Sequence, residues 1–173
     1  MRQLKHPGAG TEPRRIVQPR EAGGSLRLNL SEGADLLTGL TEALVRRGIT
    51  DAGLQLLAGA FSEMQYLTGQ PDDSGQRLAT YGAPTTLPGP VRLVGGNGIL
   101  GRDAAGKPLL HCHAVVVDRE GRVHGGHLPP NVCKLGPAGV TALVTVIDGA
   151  GFQVSHDAET NYDIFQPTGE QAA

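Results

Sequence analysis

Residues 109–128 constrain the fold more than any other part of the chain, because they predict a β-hairpin. Residues 109–117 are rich in β-branched side chains and end at a glycine-containing turn, which is typical of a strand. Gly121 suits the left-handed position of a three-residue loop, and a loop of that kind pairs Asp118 with Arg122. The pairing of every later residue in the two strands follows from that one pair.

This register brings three histidines to one face of the hairpin. Side chains two residues apart share a face of a strand, so His111 and His113 lie side by side. His127 falls directly across from His113, with β-carbons about 5 Å apart. Three imidazoles with zinc–nitrogen bonds of about 2.1 Å would make a metal site with an open position for water or substrate. The alternative is three histidines on a polar sheet face or in a subunit interface, with no metal.

The same register separates these histidines from their neighbours. His124 falls opposite Val116, on the other face of the hairpin. Cys112 also points to that face, so neither residue is predicted to be a metal ligand. The glycine pair at 125–126 permits a bulge beside His127, which would move the register by one residue.

Composition limits the classes of protein to which the chain can belong. Its 173 residues suit one domain, and with no tryptophan and 3% aromatic residues it lacks the stacking platforms of single-strand nucleic-acid binders. Cys112 and Cys133 are too few for a disulfide framework or a cysteine zinc cluster, which predicts reduced thiols and a cytoplasmic location. No apolar run has the length of a signal peptide or of a membrane span, so no membrane contact is expected.

Charge is distributed unevenly along the chain. Residues 1–27 contain six basic and two acidic side chains, a balance of +4, and because the whole chain carries −2 the rest carries −6. An acidic body is a poor platform for DNA, so any DNA contact would fall to the basic N-terminal segment. A short basic run is also typical of a merely solvated tail.

The N-terminal half predicts a tail, a strand, a helix and one ambiguous segment. Residues 1–24 lack hydrophobic periodicity and predict a disordered basic tail, whereas residues 25–30 alternate as a strand does. Helical spacing begins at Ala34 and ends at Gly48, which suits the position after a helix. Residues 54–67 fit either a helix or two buried strands around a central glycine.

The C-terminal half is predicted to be mostly strands. Besides the hairpin, the predicted strands are residues 78–81, 91–94, 140–147 and 152–156. Residues 95–98, which are Gly-Gly-Asn-Gly, predict a tight turn, and residues 166–173 predict a frayed tail. The predicted domain is therefore residues 25–165.

Two motifs resemble the plants-and-prokaryotes conserved (PPC) domain, a domain of unknown function in bacteria that stands beside AT-hooks in plant nuclear proteins. The motifs are Gly106-x-Pro108-x-x-His111-x-His113 and Asp118-x-x-Gly121-x-Val123-x-Gly125-Gly126-His127-Leu128. The resemblance implies an α+β fold: a mixed, mainly antiparallel β-sheet with one long helix and short helices packed on it. It also implies a homotrimer in which His111, His113 and His127 bind a divalent metal, most often zinc.

The chain departs from the family pattern in three places. It contains no Arg-Gly-Arg-Pro AT-hook, so the DNA-binding label of many bacterial relatives derives from plant proteins whose DNA contact lies outside this domain. His156 stands where relatives usually carry an arginine, and residues 128–134 are richer in proline.

The three-histidine arrangement also looks similar to that of acetolactate decarboxylase, a zinc lyase of related architecture. This implies an alternative function as a zinc-dependent lyase or hydrolase acting on a small oxyacid, which needs a proton donor or acceptor near the metal. The acid–base candidates are Glu63, Lys134 and Asp118, although Asp118 also suits a plain turn residue. Cys133 is a further candidate metal ligand, and His156 is a further candidate for a fourth ligand or for the general acid. The sequence thus predicts a trimeric, three-histidine metal protein of undetermined activity, with the enzyme and a DNA-binding protein as alternatives.

Overall fold

A computed structural model describes residues 5–10 and 22–168 of the chain. Within those residues it contains ten strands and one helix. In chain order they are β1 (Ala22–Leu30), α1 (Leu36–Val45), β2 (Ala52–Tyr66), β3 (Gly69–Pro71), β4 (Ala79–Tyr81), β5 (Thr85–Arg102), β6 (Pro108–Val117), β7 (Val123–His127), β8 (Lys134–Ile147), β9 (Gly151–Asp157) and β10 (Tyr162–Thr168).

Most of the strands belong to one sheet. Six of them lie in the order β1-β8-β2-β5-β6-β7, and every neighbouring pair is antiparallel. The β9–β10 hairpin joins β5 through one parallel pair, Arg102 with Gln153, while β3 and β4 form a small separate sheet. The prediction of a mixed, mainly antiparallel sheet is confirmed.

The prediction of one long helix with additional short helices is wrong. Helix α1 has ten residues, and it is the one helix in the described part of the chain. Asp35 caps its start by accepting a hydrogen bond from the Thr38 backbone N–H at 3.0 Å, and Gly48 takes a left-handed φ of +72° just past its end. Capping at both ends therefore leaves room for fewer than three turns. No described helix is long and apolar enough to span a bilayer.

Helix α1 covers one face of the sheet and leaves the other face open. Leu36, Leu40 and Leu44, spaced four apart, are buried in the same core as Leu54 and Val144. The register defines a row on the opposite face that crosses all six strands, namely Arg27, Leu143, Gln55, Asn97, His113 and His127. We call this side, which α1 does not cover, the open face.

The ambiguous segment 54–67 is neither a helix nor two strands, because β2 runs through it without a break. Its register against β8 shifts on both sides of Gly59, as a bulged strand does. These shifts change which side chains point inward, so that Leu56 before the bulges and Phe61 after them are both buried. The bulges thus explain why the apolar residues of this strand do not alternate strictly along the sequence.

The predicted turn at residues 95–98 is also wrong, because β5 continues through it for 18 residues. Gly96 is a close-packing glycine: a β-carbon placed there would lie 2.5 Å from the carbonyl oxygen of His113. Glycine at this position therefore permits close approach of the neighbouring strand and makes no turn.

Both ends of the predicted domain differ slightly from the observed elements. Strand β1 begins at Ala22, and β10 extends to Thr168. Most of the predicted tail at 1–24, and residues 169–173, lie outside the described residues. Within residues 5–10, the Gly8 backbone N–H donates to the Glu159 carbonyl at 3.0 Å and His6 contacts the Glu159 carboxylate.

Candidate metal centre

The β6–β7 hairpin has the register expected from its turn. The Asp118 N–H donates to the Arg122 carbonyl at 3.0 Å, and Gly121 has a φ of +81°. His113 consequently pairs with His127, and the bulge allowed by the glycine pair does not occur between them. The structure therefore brings His111, His113 and His127 together on the open face, as predicted.

The backbone of His127 is fixed from two sides. Its N–H donates to the Leu67 carbonyl at 2.9 Å, and its carbonyl accepts from the Leu67 N–H at 2.8 Å. The Leu128 N–H then donates to the Cys112 carbonyl at 2.9 Å. Leu67, just past the end of β2, and strand β6 thus fix the backbone that carries this imidazole.

The three imidazoles are close enough to share one ion. One ring nitrogen from each lies within 4.8 Å of the corresponding nitrogens of the other two. The Nε2 atoms of His111 and His113 are 3.0 Å apart. The ring centroid of His127 lies 4.5 Å from that of His111 and 5.5 Å from that of His113. In the described part of the chain no carboxylate or thiol joins this group.

The imidazoles of His127 and His111 are held in the neutral form, which is the protonation state that binds metals. Burial, reinforced by the nearby His111 and His113, lowers the pKa of His127 to about 4. Burial and then His113 also lower the pKa of His111. At neutral pH these two rings are therefore uncharged and do not repel a cation.

One polar atom in the cluster lacks a partner. Nδ1 of His127 is buried and has no hydrogen bond within the described residues. Unpartnered buried polar atoms are rare in folded proteins, and coordination to a metal is one way in which such an atom is satisfied. Chemically, the three-nitrogen donor set fits a borderline divalent ion such as zinc.

Aromatic rings flank the imidazoles on both sides. Tyr81 of β4 stacks on His127 with centroids 5.0 Å apart and planes inclined by 22°. Phe165 of β10 meets His111 edge-on at 6.4 Å. Sequence reasoning missed both residues, because their hairpins are brought to the site by long-range packing.

The family model of the Plants and Prokaryotes Conserved (PCC) domain matches residues 18–145, which is most of the chain. The chain belongs to the PCC domain family. The histidine motifs that suggested this family from sequence all lie inside the matched range, so the resemblance is confirmed.

Solved structures similar to this PCC domain cover nearly its whole fold. A metal-containing protein from Archaeoglobus fulgidus superposes with a TM-score of 0.72 at 23% identity, covering 88% of this chain and 99% of its own. A plant- and prokaryote-conserved protein from Pyrococcus horikoshii has a TM-score of 0.71 at 18% identity, covering 88% and 97%. A Ralstonia eutropha protein, described provisionally as DNA-binding, has a TM-score of 0.65 at 21% identity, covering 81% and 89%. No curated protein matches the sequence significantly.

The fourth histidine of this PCC hairpin has a structural partner of its own. His124 lies opposite Val116, as predicted, and its Nε2 donates to the Asp118 carboxylate at 2.9 Å. Its Nδ1 forms a second hydrogen bond, with the Tyr66 hydroxyl at 3.1 Å. His124 is therefore satisfied on the far face and is not part of the cluster.

Asp118 is a structural carboxylate of the turn, as its position suggested. It is buried, and it accepts from the backbone and guanidinium of Arg122 as well as from His124. Burial opposes its ionisation, but the hydrogen bonds from His124 and Arg122 outweigh burial and hold its pKa well below the ordinary 3.8. It therefore does not serve as a proton donor to the metal site at neutral pH.

We expect Asp118→Asn to lower the melting temperature by several degrees at neutral pH. Because the folded pKa is depressed, the stabilisation is present above about 3.8 and is lost as the pH falls further. Melting curves should therefore show a constant gap between wild type and variant above about pH 5, and a shrinking gap below pH 4. Asp163→Asn, which removes an exposed carboxylate paired with His156, should change little. A gap that persists undiminished at low pH would contradict this role.

The remaining sequence candidates do not reach the histidines. Glu63 and Lys134 are exposed and pair with each other across β2 and β8. Cys133 is buried with its Sγ 3.5 Å from the Gln65 carbonyl, and burial raises the pKa of its thiol to about 12. His156 is exposed and contacts Asp163 at 3.3 Å. None of these residues is brought into the three-histidine group.

Proposed function

We propose that this PCC-domain protein binds one divalent metal ion per chain, zinc most naturally, through His111, His113 and His127. The observation that carries the proposal is the convergence of one ring nitrogen from each histidine within 4.8 Å of the other two. In addition, Nδ1 of His127 is buried and has no hydrogen-bond partner within the described residues. A solved structure with the same fold is described as metal-containing, which supports the same conclusion.

A bound zinc ion would supply Lewis acidity toward an oxygen ligand, since three protein donors leave one tetrahedral position free. The protein's own part is to hold neutral imidazoles in place through the backbone contacts of His127 and the ring of Tyr81. None of the acid–base candidates from the sequence joins the cluster, so the proposal is metal binding and not a named reaction. Two free, buried cysteines fit the reducing cytoplasm, which is where we propose that the protein works.

Elemental analysis tests the metal site directly. Protein purified without a polyhistidine tag should contain close to one divalent ion per chain, or take up one equivalent of added zinc. Protein that stays metal-free after dialysis against zinc would overturn the proposal.

We further propose that the open face assembles three copies into a homotrimer. Ile99, Val115 and Leu143 lie on this face with 36%, 46% and 36% of their surface exposed. Apolar side chains in line with a functional cluster are typical of an interface. Closed assembly also protects sheet edges, and within the described residues no strand pairs with the outer side of β1. The choice of three copies rests on the family resemblance.

Leu143→Asp should convert the trimer to monomers, because it places a charge in the middle of the apolar part of the open face. Light scattering coupled to gel filtration should then fall from three times the 18.0 kDa chain mass to one. Val45→Asp is a matched control, since Val45 is 44% exposed at the end of α1 on the covered side of the sheet. Wild-type protein that elutes as a monomer, or a Leu143→Asp variant that stays trimeric, would contradict the assignment of this interface.

A further inference from the structure

A cavity of about 350 Å³ opens beside the histidine cluster. His113 forms one wall, the β3–β4 hairpin contributes Leu78, Ala79 and Tyr81, and the C-terminal hairpin contributes Tyr162 and Ile164. We call it the aryl cavity. Its volume lies near the lower limit for small-molecule sites, about 300–1,000 Å³, and suits a single-ring compound better than a nucleotide.

The aromatic residues of the chain are concentrated around this site. The whole sequence has three phenylalanines, three tyrosines and no tryptophan. Yet a continuous series of rings passes through the cluster, from Tyr81 to His127, His111, Phe165 and Phe152, with successive centroids 5.0, 4.5, 6.4 and 6.3 Å apart. Tyr162 adds another ring at the cavity wall, with the Arg77 guanidinium 5.7 Å from its centroid.

We propose that the aryl cavity binds the ring of a small aromatic carboxylate whose carboxylate group reaches the metal. This inference rests on the proposed metal site. Three neutral imidazoles and a divalent ion form a site of net positive charge, which selects an anionic oxygen donor. The neighbouring rings of Tyr81 and Tyr162 then favour a flat π-system, since aromatic pairs gain affinity beyond the area that they bury.

A second cavity beside the cluster has different walls. It holds about 470 Å³ and is lined by residues of α1, by His111 and His127, and by neighbouring leucines and prolines. Its polar groups include Thr41. Because it lacks any aromatic ring other than the imidazoles, it would favour an aliphatic tail. The two cavities therefore predict different ligand preferences.

Titration calorimetry on the zinc-loaded full chain tests whether the ligand prefers an aromatic or an aliphatic group, with three probes of the same charge. Benzoate should bind at least tenfold more tightly than acetate, which offers the carboxylate alone. It should bind roughly 3- to 10-fold more tightly than cyclohexanecarboxylate, which has similar size but no π-face. All three should perturb the visible spectrum of the cobalt-substituted protein, because each carboxylate reaches the metal. Equal affinity for benzoate and cyclohexanecarboxylate, or an unchanged cobalt spectrum, would overturn the inference.

Two variants and one control locate the binding cavity. Ala79→Leu fills the aryl cavity and should weaken benzoate binding at least tenfold, with zinc content serving as the check on folding. Tyr162→Leu removes an aromatic ring from the cavity wall and should abolish the preference for benzoate over cyclohexanecarboxylate. Thr41→Leu places a larger, apolar side chain in the wall of the second cavity and should leave benzoate affinity unchanged.

The outcomes separate this inference from the metal proposal. Loss of benzoate binding in Thr41→Leu, with none in Ala79→Leu, would place the ligand in the second cavity and overturn the assignment. Zinc binding without aromatic preference would refute the aryl cavity alone. Failure of the wild-type chain to take up zinc would instead refute the proposed metal site.

Discussion

Replacing His113 by alanine is expected to reduce bound zinc from about one equivalent per chain to nearly none. Within the described residues the cluster has three ring nitrogens, of which His113 supplies one, and its Nε2 lies 3.0 Å from that of His111. Two remaining imidazoles would leave half of a tetrahedral shell to water. Replacing a residue that merely supports a ligand costs 10- to 100-fold in metal affinity, so loss of the ligand itself should cost at least about 100-fold.

Because the side chain of His113 is exposed, its loss should affect metal binding more than folding. Truncation removes little packing and should leave the melting temperature of metal-free protein almost unchanged. His156→Ala is the matched control, because it removes another exposed strand histidine that lies outside the cluster. Competition with a chromophoric zinc chelator measures both affinities. Equal zinc affinity in wild type and His113→Ala would refute the ligand assignment, whereas an equal loss in both variants would indicate nonspecific binding.

The position of the three imidazoles followed from local rules. A glycine at the left-handed position of a three-residue loop fixed the pairing of Asp118 with Arg122, and the two-residue period of a strand did the rest. Such rules act over a few residues, so one sequence suffices to apply them. The register of the hairpin was therefore predictable apart from the one-residue shift that the glycine pair left open, and so was the exclusion of His124 from the cluster.

The surroundings of the imidazoles were not predictable in the same way. Tyr81 and Phe165 reach His127 and His111 from hairpins far away in sequence. Neither hairpin has a local signal that names its neighbour, since β9 meets β5 through one pair and β3–β4 is a separate sheet. Placement of this kind depends on which surfaces remain to be covered after the main sheet has formed.

Glycine was the other source of error, because it marks both turns and close approaches of two strands. Residues 95–98 have the composition of a turn, but they lie within β5. What distinguishes the two cases is the space available to a β-carbon, which depends on the neighbouring strand and cannot be read from the segment itself. Gly96 is the position in this segment where the distinction has the largest consequence.

Gly96→Ala is therefore expected to destabilise the fold and to disturb the metal site at once. The new β-carbon would lie 2.5 Å from the His113 carbonyl oxygen and 3.1 Å from the Ala114 Cα, both of them backbone atoms that cannot rotate away. Strand β6 must move away from β5 at the residue that carries one of the three imidazoles. We expect a loss of roughly 2 kcal/mol in unfolding free energy, which lowers the melting temperature by about 4–8 °C.

Gly95→Ala is the matched control for Gly96→Ala. At Gly95 the nearest atom to a new β-carbon is the Leu56 carbonyl oxygen at 3.8 Å, an ordinary contact, so Gly95→Ala should unfold within about 1 °C of wild type. Both substitutions add the same methyl group to the same strand, so propensity and solvation effects largely cancel between them. Zinc affinity should fall about tenfold in Gly96→Ala alone, because displacement of β6 separates His113 from His127. If the two variants had the same melting temperature, Gly96 would not be required for close packing of β5 and β6. The proposed coupling between strand spacing and the histidine cluster would then be refuted as well.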